Sequence, residues 1–162
     1  MFPSPILELA TKVLATARAA GLHVVTAESC TGGLVAAALT EIPGSSDVVD
    51  RGFVVYTNDA KNELLDVRDE LFEQHGAVSE QVVRAMAQGA LLHSWADVSV
   101  AVTGIAGPSG GTPQTPVGLV HLAAAREGKE TLHQELRLGD IGRETVRLKS
   151  VEAALTLILR QL

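Results

Sequence analysis

The sequence predicts an α/β protein, a mixed β-sheet covered by helices. Three observations predict it. Short aliphatic runs bounded by turn residues alternate with apolar stripes at helical spacing. Two β-rich segments near the C-terminus flank a glycine turn. Of 162 residues, 46% are hydrophobic and 20% charged, a balance that excludes disorder and supplies a core. About 70% of the surface that a chain this long exposes when unfolded is buried on folding. No repeat, linker or low-complexity tract divides it, so one domain over 1–162 is expected.

The elements follow in order. Residues 4–20 form a helix: Ser4 caps it, Pro5 lies in its first turn, and Gly21 stops it. Its stripe is Ile6, Leu9, Ala10, Val13, Leu14 and Ala17. Leu22 to Thr26 reads as a buried strand, and Leu34 to Leu39 as a helix ended by Ile42-Pro43-Gly44-Ser45-Ser46. Val48 to Thr57 is β-rich, with Gly52 as a bulge or bend. Asn58 and Asp59 cap a helix over Ala60 to Leu65, and Asp69 to Gln74 forms a second short helical piece. Ser79 caps a helix from Glu80 to Trp95, and Asp97 to Val102 is another buried strand. Thr103 to Pro116 holds four glycines and three prolines and is irregular. Val117 to Ala125 and Thr131 to Leu138 form a hairpin around Glu127-Gly128, and a helix over Glu144 to Gln161 ends the chain.

Composition excludes several function classes. Thirteen Lys and Arg against nineteen Asp and Glu give a net charge of −6, and aromatics make up 3%. That combination disfavours direct nucleic-acid binding, which needs cations and stacking platforms. The single cysteine, Cys30, excludes an internal disulfide and any Cys-rich zinc site. The N-terminus lacks a secretory pattern, and no apolar run approaches the roughly 20 residues of a membrane span. A cytoplasmic protein without membrane association is expected. The histidines lack HxxxH spacing, so no metal site is expected; His121 and His133 lie near each other only across the hairpin.

Chemistry concentrates in a few small-residue segments. Ala27-Glu28-Ser29-Cys30-Thr31-Gly32-Gly33 opens a helix, where free N–H groups accommodate an anion or oxyanion. Gly44-Ser45-Ser46 precedes Tyr56 and Lys61. A serine hydroxyl needs a base, and a neutral lysine is one such base. Roughly one unperturbed lysine in two thousand is neutral at pH 7. Making the neutral form prevalent takes about 4 kcal/mol, obtainable from burial or a nearby cation. Lys61 in a first helical turn has the dipole acting in that direction. Thr103-Gly104-Ile105-Ala106-Gly107-Pro108-Ser109-Gly110-Gly111 offers backbone to a ligand. Arg143, after Gly142, offers a guanidinium to a phosphate or carboxylate. Cys30 would serve as nucleophile only if its pKa were lowered, and no sequence-local histidine supports it. Taken singly, these are equally a helix cap, surface turns, a crossover loop and a surface arginine.

Together, in this order, they resemble the C-terminal domain of the competence/damage-inducible protein CinA. The resemblance rests on Thr26 to Gly33, Gly44-Ser45-Ser46 and Arg51 to Lys61. It continues through His75-Gly76-Ala77-Val78-Ser79-Glu80, Thr103 to Pro108, and Pro116-Val117-Gly118, and so spans about residues 5 to 160. Stand-alone relatives in that family are nicotinamide-nucleotide amidases. The resemblance implies an α/β/α sandwich, often self-associated, that hydrolyses the carboxamide of nicotinamide mononucleotide without cofactor or metal. It implies a Ser46–Lys61 nucleophile–base pair assisted by Tyr56, with Ser29 as the fallback nucleophile. Substrate contacts are expected from Ser29, Thr31, Gly32, Thr103, Gly104 and Arg143, with oxyanion donors near Thr31–Gly33 or Thr103–Gly107. The alternative is a non-catalytic nucleotide-binding or protein-interaction module linked to competence or DNA damage, with a recombination protein as partner. Ser109 and Gln114-Thr115 depart from the family pattern, which changes the charge of the glycine-rich loop.

Overall fold

The computed structural model describes residues 1–162. Helix α1 (Ser4–Ala20) leads to strand β1 (Val24–Glu28), helix α2 (Leu34–Thr40), a 3-10 turn at Ser45–Asp47 and strand β2 (Val49–Val54). Helices α3 (Asn58–Leu65), α4 (Asp69–His75) and α5 (Glu80–Leu92) follow. Strands β3 (Val98–Gly104), β4 (Leu119–Arg126) and β5 (Leu132–Arg137) and helix α6 (Arg143–Gln161) complete the chain. The sheet order is β2-β1-β3-β4-β5. Strand β1 runs parallel to both neighbours, whereas β3–β4 and β4–β5 are antiparallel. The sheet is therefore mixed, as expected. No helix is long and apolar enough to cross a membrane.

Alternation along the strands produces the two outer layers. Val98, Val100, Val102, Val120, Leu122 and Ala124 face a core built with α1, α2 and α6. Ala101, Ala123, Ala125, Val25 and Ala27 face a second core built with α5. Small residues on the second face let α5 lie close to the sheet, where the Ser99 hydroxyl donates to Ala87 O at 2.7 Å. The Ser79 cap is observed, its hydroxyl accepting from Val82 N.

Several boundaries differ from the sequence reading. Strand β1 begins two residues later and reaches Glu28, because parallel pairing on both sides carries it to the sheet's C-terminal edge. Strand β3 keeps Thr103 and Gly104, paired with His121 and Val120 of β4. Helix α5 ends at Leu92, leaving Trp95 exposed. Thr57, not Asn58 or Asp59, caps α3 by accepting from Ala60 N at 3.1 Å. The bulge in β2 falls between the partners of Val24 and Val25, at Asp50. Gly52 instead permits close packing, since a Cβ there would lie 2.8 Å from Thr26 Oγ1.

Gly89 is where α5 crosses the C-terminal end of α3. A Cβ on Gly89 would stand 2.0 Å from Leu65 O, a backbone atom unable to rotate away. Gly89→Ala is expected to cost about 3 kcal/mol through overpacking. Thermal unfolding is the check, with an expected fall in Tm of roughly 6–12 °C.

Candidate active site

In an open sheet, a crevice forms where adjacent parallel strands send their connections to opposite faces. Strands β1 and β2 meet that condition: α2, which follows β1, packs with α6 on one face, while α3 and α5, which follow β2, share the core on the other. At the C-terminal ends of these strands lies a cleft of about 320 Å³. It is lined by Ser29, Tyr56, Lys61, Thr103, Gly104 and Arg143, together with Cys30, Asn58, Ala77-Val78 and the backbone after β3. A larger groove, about 860 Å³ beside Trp95, lies at the opposite end of the sheet and has no buried ionisable side chain.

Lys61 is the unusual group. It sits on the inner face of α3, one turn before the buried Leu65, and is only 2% exposed. Its Nζ donates to Tyr56 O at 3.4 Å. No carboxylate forms an ion pair with it; burial pushes its pKa down from the ordinary 10.5, opposed only by the nearby Cys30 thiol. Burial thus acts in favour of the neutral form, the form that a base requires. Tyr56 supports it through the backbone carbonyl. Tyr56 is 59% exposed, and its phenol accepts from Arg143 Nη2 at 3.3 Å.

Ser29 follows β1 directly and is buried, with its N–H donated to Val102 O at 3.0 Å. Beyond it the chain turns through Gly32 and Gly33, at φ 58° and 97°, conformations that favour glycine. The buried Glu28 carboxylate accepts from Gly33 N, Val35 N and Ala36 N at 3.1, 3.0 and 2.9 Å. These bonds satisfy the donors at the start of α2. Two of the expected oxyanion donors at Thr31–Gly33 are therefore taken, Gly33 N by Glu28 and Gly32 N by Ser29 O, while Thr31 N has no acceptor within the chain. Across the cleft, the N–H groups of Ala106 and Gly107 have no acceptor within the chain.

The other predicted residues divide. Thr103 and Gly104 form the cleft wall, but the buried Thr103 hydroxyl is committed to Ala77 O at 3.0 Å. It holds the Ala77-Val78 segment and has no proton left to donate to a phosphate. Arg143 opens α6 at the cleft mouth, exposed, with Nη1 donating to Gly107 O at 2.9 Å. Thr31 and Gly32 do not line the cleft. The Thr31 side chain is fully buried and its hydroxyl has no partner.

Ser46 is separated from Lys61. It is exposed in the turn before β2, which Arg18 holds through Gly44 O at 2.8 Å and Asp47 at 3.5 Å. The cleft lies at the far end of β2, roughly 17 Å along a six-residue strand. Within one chain the serine facing the Lys61 cleft is Ser29, and the expected Ser46–Lys61 contact is absent. No direct hydrogen bond joins Ser29 and Lys61; catalytic hydrogen bonds often tighten only around substrate. Cys30 is 6% exposed, and burial pushes its thiol up to about 12, the reverse of what a thiolate nucleophile needs.

Two features escaped the sequence reading. One is Glu28, visible only as an acidic residue shortly before a glycine pair. The other is Arg147, whose Nε and Nη2 donate to Cys30 O and Thr31 O, both at 3.1 Å, across more than a hundred residues. His121 and His133 do meet across the hairpin, ring nitrogens 2.9 Å apart. They form no ligating cluster with a third side chain.

Comparison with known proteins agrees with this architecture. The family model for the CinA C-terminal domain matches residues 6–162. The chain belongs to the CinA C-terminal domain family. Within it, the nicotinamide-nucleotide amidohydrolase PncC of Enterobacter agglomerans is 49% identical over 95% of this chain and 93% of its own length. The PncC of Escherichia coli is 45% identical over 99% and 97%. A competence/damage-inducible protein of Agrobacterium tumefaciens, solved by crystallography, superposes with a TM-score of 0.97 at 55% identity, covering 99% of this chain and 97% of that one. The CinA-family chain spans only 26% of a longer relative from Symbiobacterium thermophilum, a putative competence-damage inducible protein 60% identical over 68% of this chain.

The buried Lys61 gives this CinA-family fold a measurable signature. Its folded-state pKa lies below the unfolded value, so the cost of burying the ammonium is greatest at low pH and disappears as pH rises through the lowered pKa towards 10.5. Lys61→Met is expected to raise Tm at pH 7 by several degrees. The gap should close as pH approaches 10.5, as followed by thermal unfolding across pH.

Proposed function

We propose that the protein is a nicotinamide-nucleotide amidohydrolase, cleaving the carboxamide of nicotinamide mononucleotide to nicotinic acid mononucleotide and ammonia. The observation that carries this reading is an amine, buried and without a carboxylate, opening on the same cleft as the Ser29 hydroxyl. A site for binding alone needs no such base. The PncC relatives, covered almost end to end, supply the substrate class.

In the proposed reaction, Lys61 Nζ takes the Ser29 Oγ proton as Oγ bonds the carboxamide carbon. The carbonyl oxygen becomes an oxyanion, which Ala106 N–H and Gly107 N–H are free to receive; each such donor contributes about 3 kcal/mol in comparable sites. The C–N bond then breaks, and the nitrogen leaves with the Lys61 proton as ammonia. Water attacks the resulting ester, gives a proton to Lys61 and expels Ser29 Oγ, which recovers that proton. The product leaves as the carboxylic acid, which ionises by giving its proton to the released ammonia or to water, and the enzyme is restored. Every bond change is served by protein groups, so the reading includes metal independence. Arg143, exposed at the mouth with N–H groups to spare, is assigned to the 5′-phosphate.

Ammonia release from nicotinamide mononucleotide, measured with a chelator present, tests the reaction; uptake of the nucleotide without release would leave only a binding module. Ser29→Ala is expected to lower kcat at least a thousandfold with the fold intact, whereas Ser46→Ala should turn over normally. The opposite pair of results would restore the Ser46–Lys61 dyad and require a second copy of the chain to deliver the hydroxyl. Arg143→Ala should raise KM about tenfold with little change in kcat, as expected for loss of a phosphate hydrogen bond worth roughly 1.5 kcal/mol.

A further inference from the structure

The segment carrying Ser29 has no regular structure, yet a nucleophile must be held to within a fraction of an ångström. Three restraints act on it. Upstream, Ser29 N is tied to Val102 O of β3 at 3.0 Å. Downstream, Glu28 grips the first turn of α2. Between them lie Cys30 and Thr31, followed by two glycines that add freedom rather than remove it. The carbonyls of Cys30 and Thr31 are both taken by one guanidinium, that of Arg147.

We propose that Arg147 is a positioning residue for the Ser29 hydroxyl: its planar fork fixes two successive carbonyls and so sets how the preceding residue presents Oγ to the cleft. This rests on the assignment of Ser29 as nucleophile. The geometry favours it in two ways. Arg143 and Arg147 are four residues apart on α6 and therefore share a face. Arg143 engages Gly107 and Tyr56 on one side of the cleft, while Arg147 engages the Ser29 side. One helix face thus sets the spacing between the two walls. The fork also lies close to the turn, with Nη2 only 3.4 Å from where a Cβ on Gly32 would be. Lysine cannot reproduce this, because its ammonium is a point donor without a planar fork.

The test is steady-state turnover of nicotinamide mononucleotide by Arg147→Met and Arg147→Gln, with thermal unfolding and amide hydrogen exchange on each. Loss of positioning should lower kcat about tenfold to hundredfold, leave KM within about twofold, and speed exchange at residues 30–33. A merely structural role would not split kcat from KM. Arg147→Gln retains a single donor nitrogen in place of the two-nitrogen fork and should fall between wild type and Arg147→Met, and it carries the same test if the Met variant does not fold. Wild-type kcat in either folded variant, a loss that appears in KM, or unchanged exchange at 30–33 overturns the proposal. Failure of the nucleophile assignment is read separately, as full turnover by Ser29→Ala.

Discussion

The site depends on keeping a lysine amine dry with no carboxylate beside it. Left to local preference, Lys61 in the first turn of a short helix would extend into water, where its ammonium is best solvated. It does not, because α3 lies tightly against α5, Gly89 beneath Leu65 O, and turns its inner face towards the sheet. Lys61 and Leu65 share that face, so burying the leucine carries the lysine inward. The desolvation cost falls on the ammonium and is offset by apolar packing elsewhere in the same core. The lowered pKa of the amine comes from the packing of a helix rather than from a partner side chain.

The second requirement is opposite in kind. The cleft wall at Ser29 is irregular backbone, and its order comes from ionised side chains on hydrogen-bonding partners. Glu28 meets three N–H groups where α2 begins, and Arg147 meets two carbonyls just before them. Charge-assisted hydrogen bonds are stronger than neutral ones, and each group here binds several partners at once. The turn between β1 and α2 is therefore held although two of its residues are glycine. The cost is that Gly32 N and Gly33 N are used, whereas Ala106 N and Gly107 N on the opposite wall stay free.

Much of this was legible before folding. The helical stripes of α1 and α5, the Ser79 cap, the terminal hairpin and the glycine-rich segment after β3 all follow from local periodicity and turn chemistry. Lys61, Tyr56, Thr103, Gly104, Arg143 and Ser29 were legible as site candidates and do line one cleft. Ser46, also a candidate, lies outside that cleft within one chain. Nearness along the chain says nothing about which end of a strand a residue occupies, and β2 lies between Ser46 and the cleft. The role expected of Tyr56 shifted for a similar reason: its carbonyl faces Lys61, while its phenol reaches Arg143.

The sequence by itself determined the alternation of elements, the mixed sheet, the small-residue segments and the membership of a family, because these are local patterns or ordered motifs. Tertiary structure alone decided which serine shares a cleft with the amine, which N–H groups stay free, and that Glu28 and Arg147 hold the turn between them. Those outcomes depend on residues far apart in the chain arriving at one point. A one-dimensional pattern carries hydrophobic period and turn chemistry, but not which end of the sheet a loop reaches or which donor has already found its acceptor.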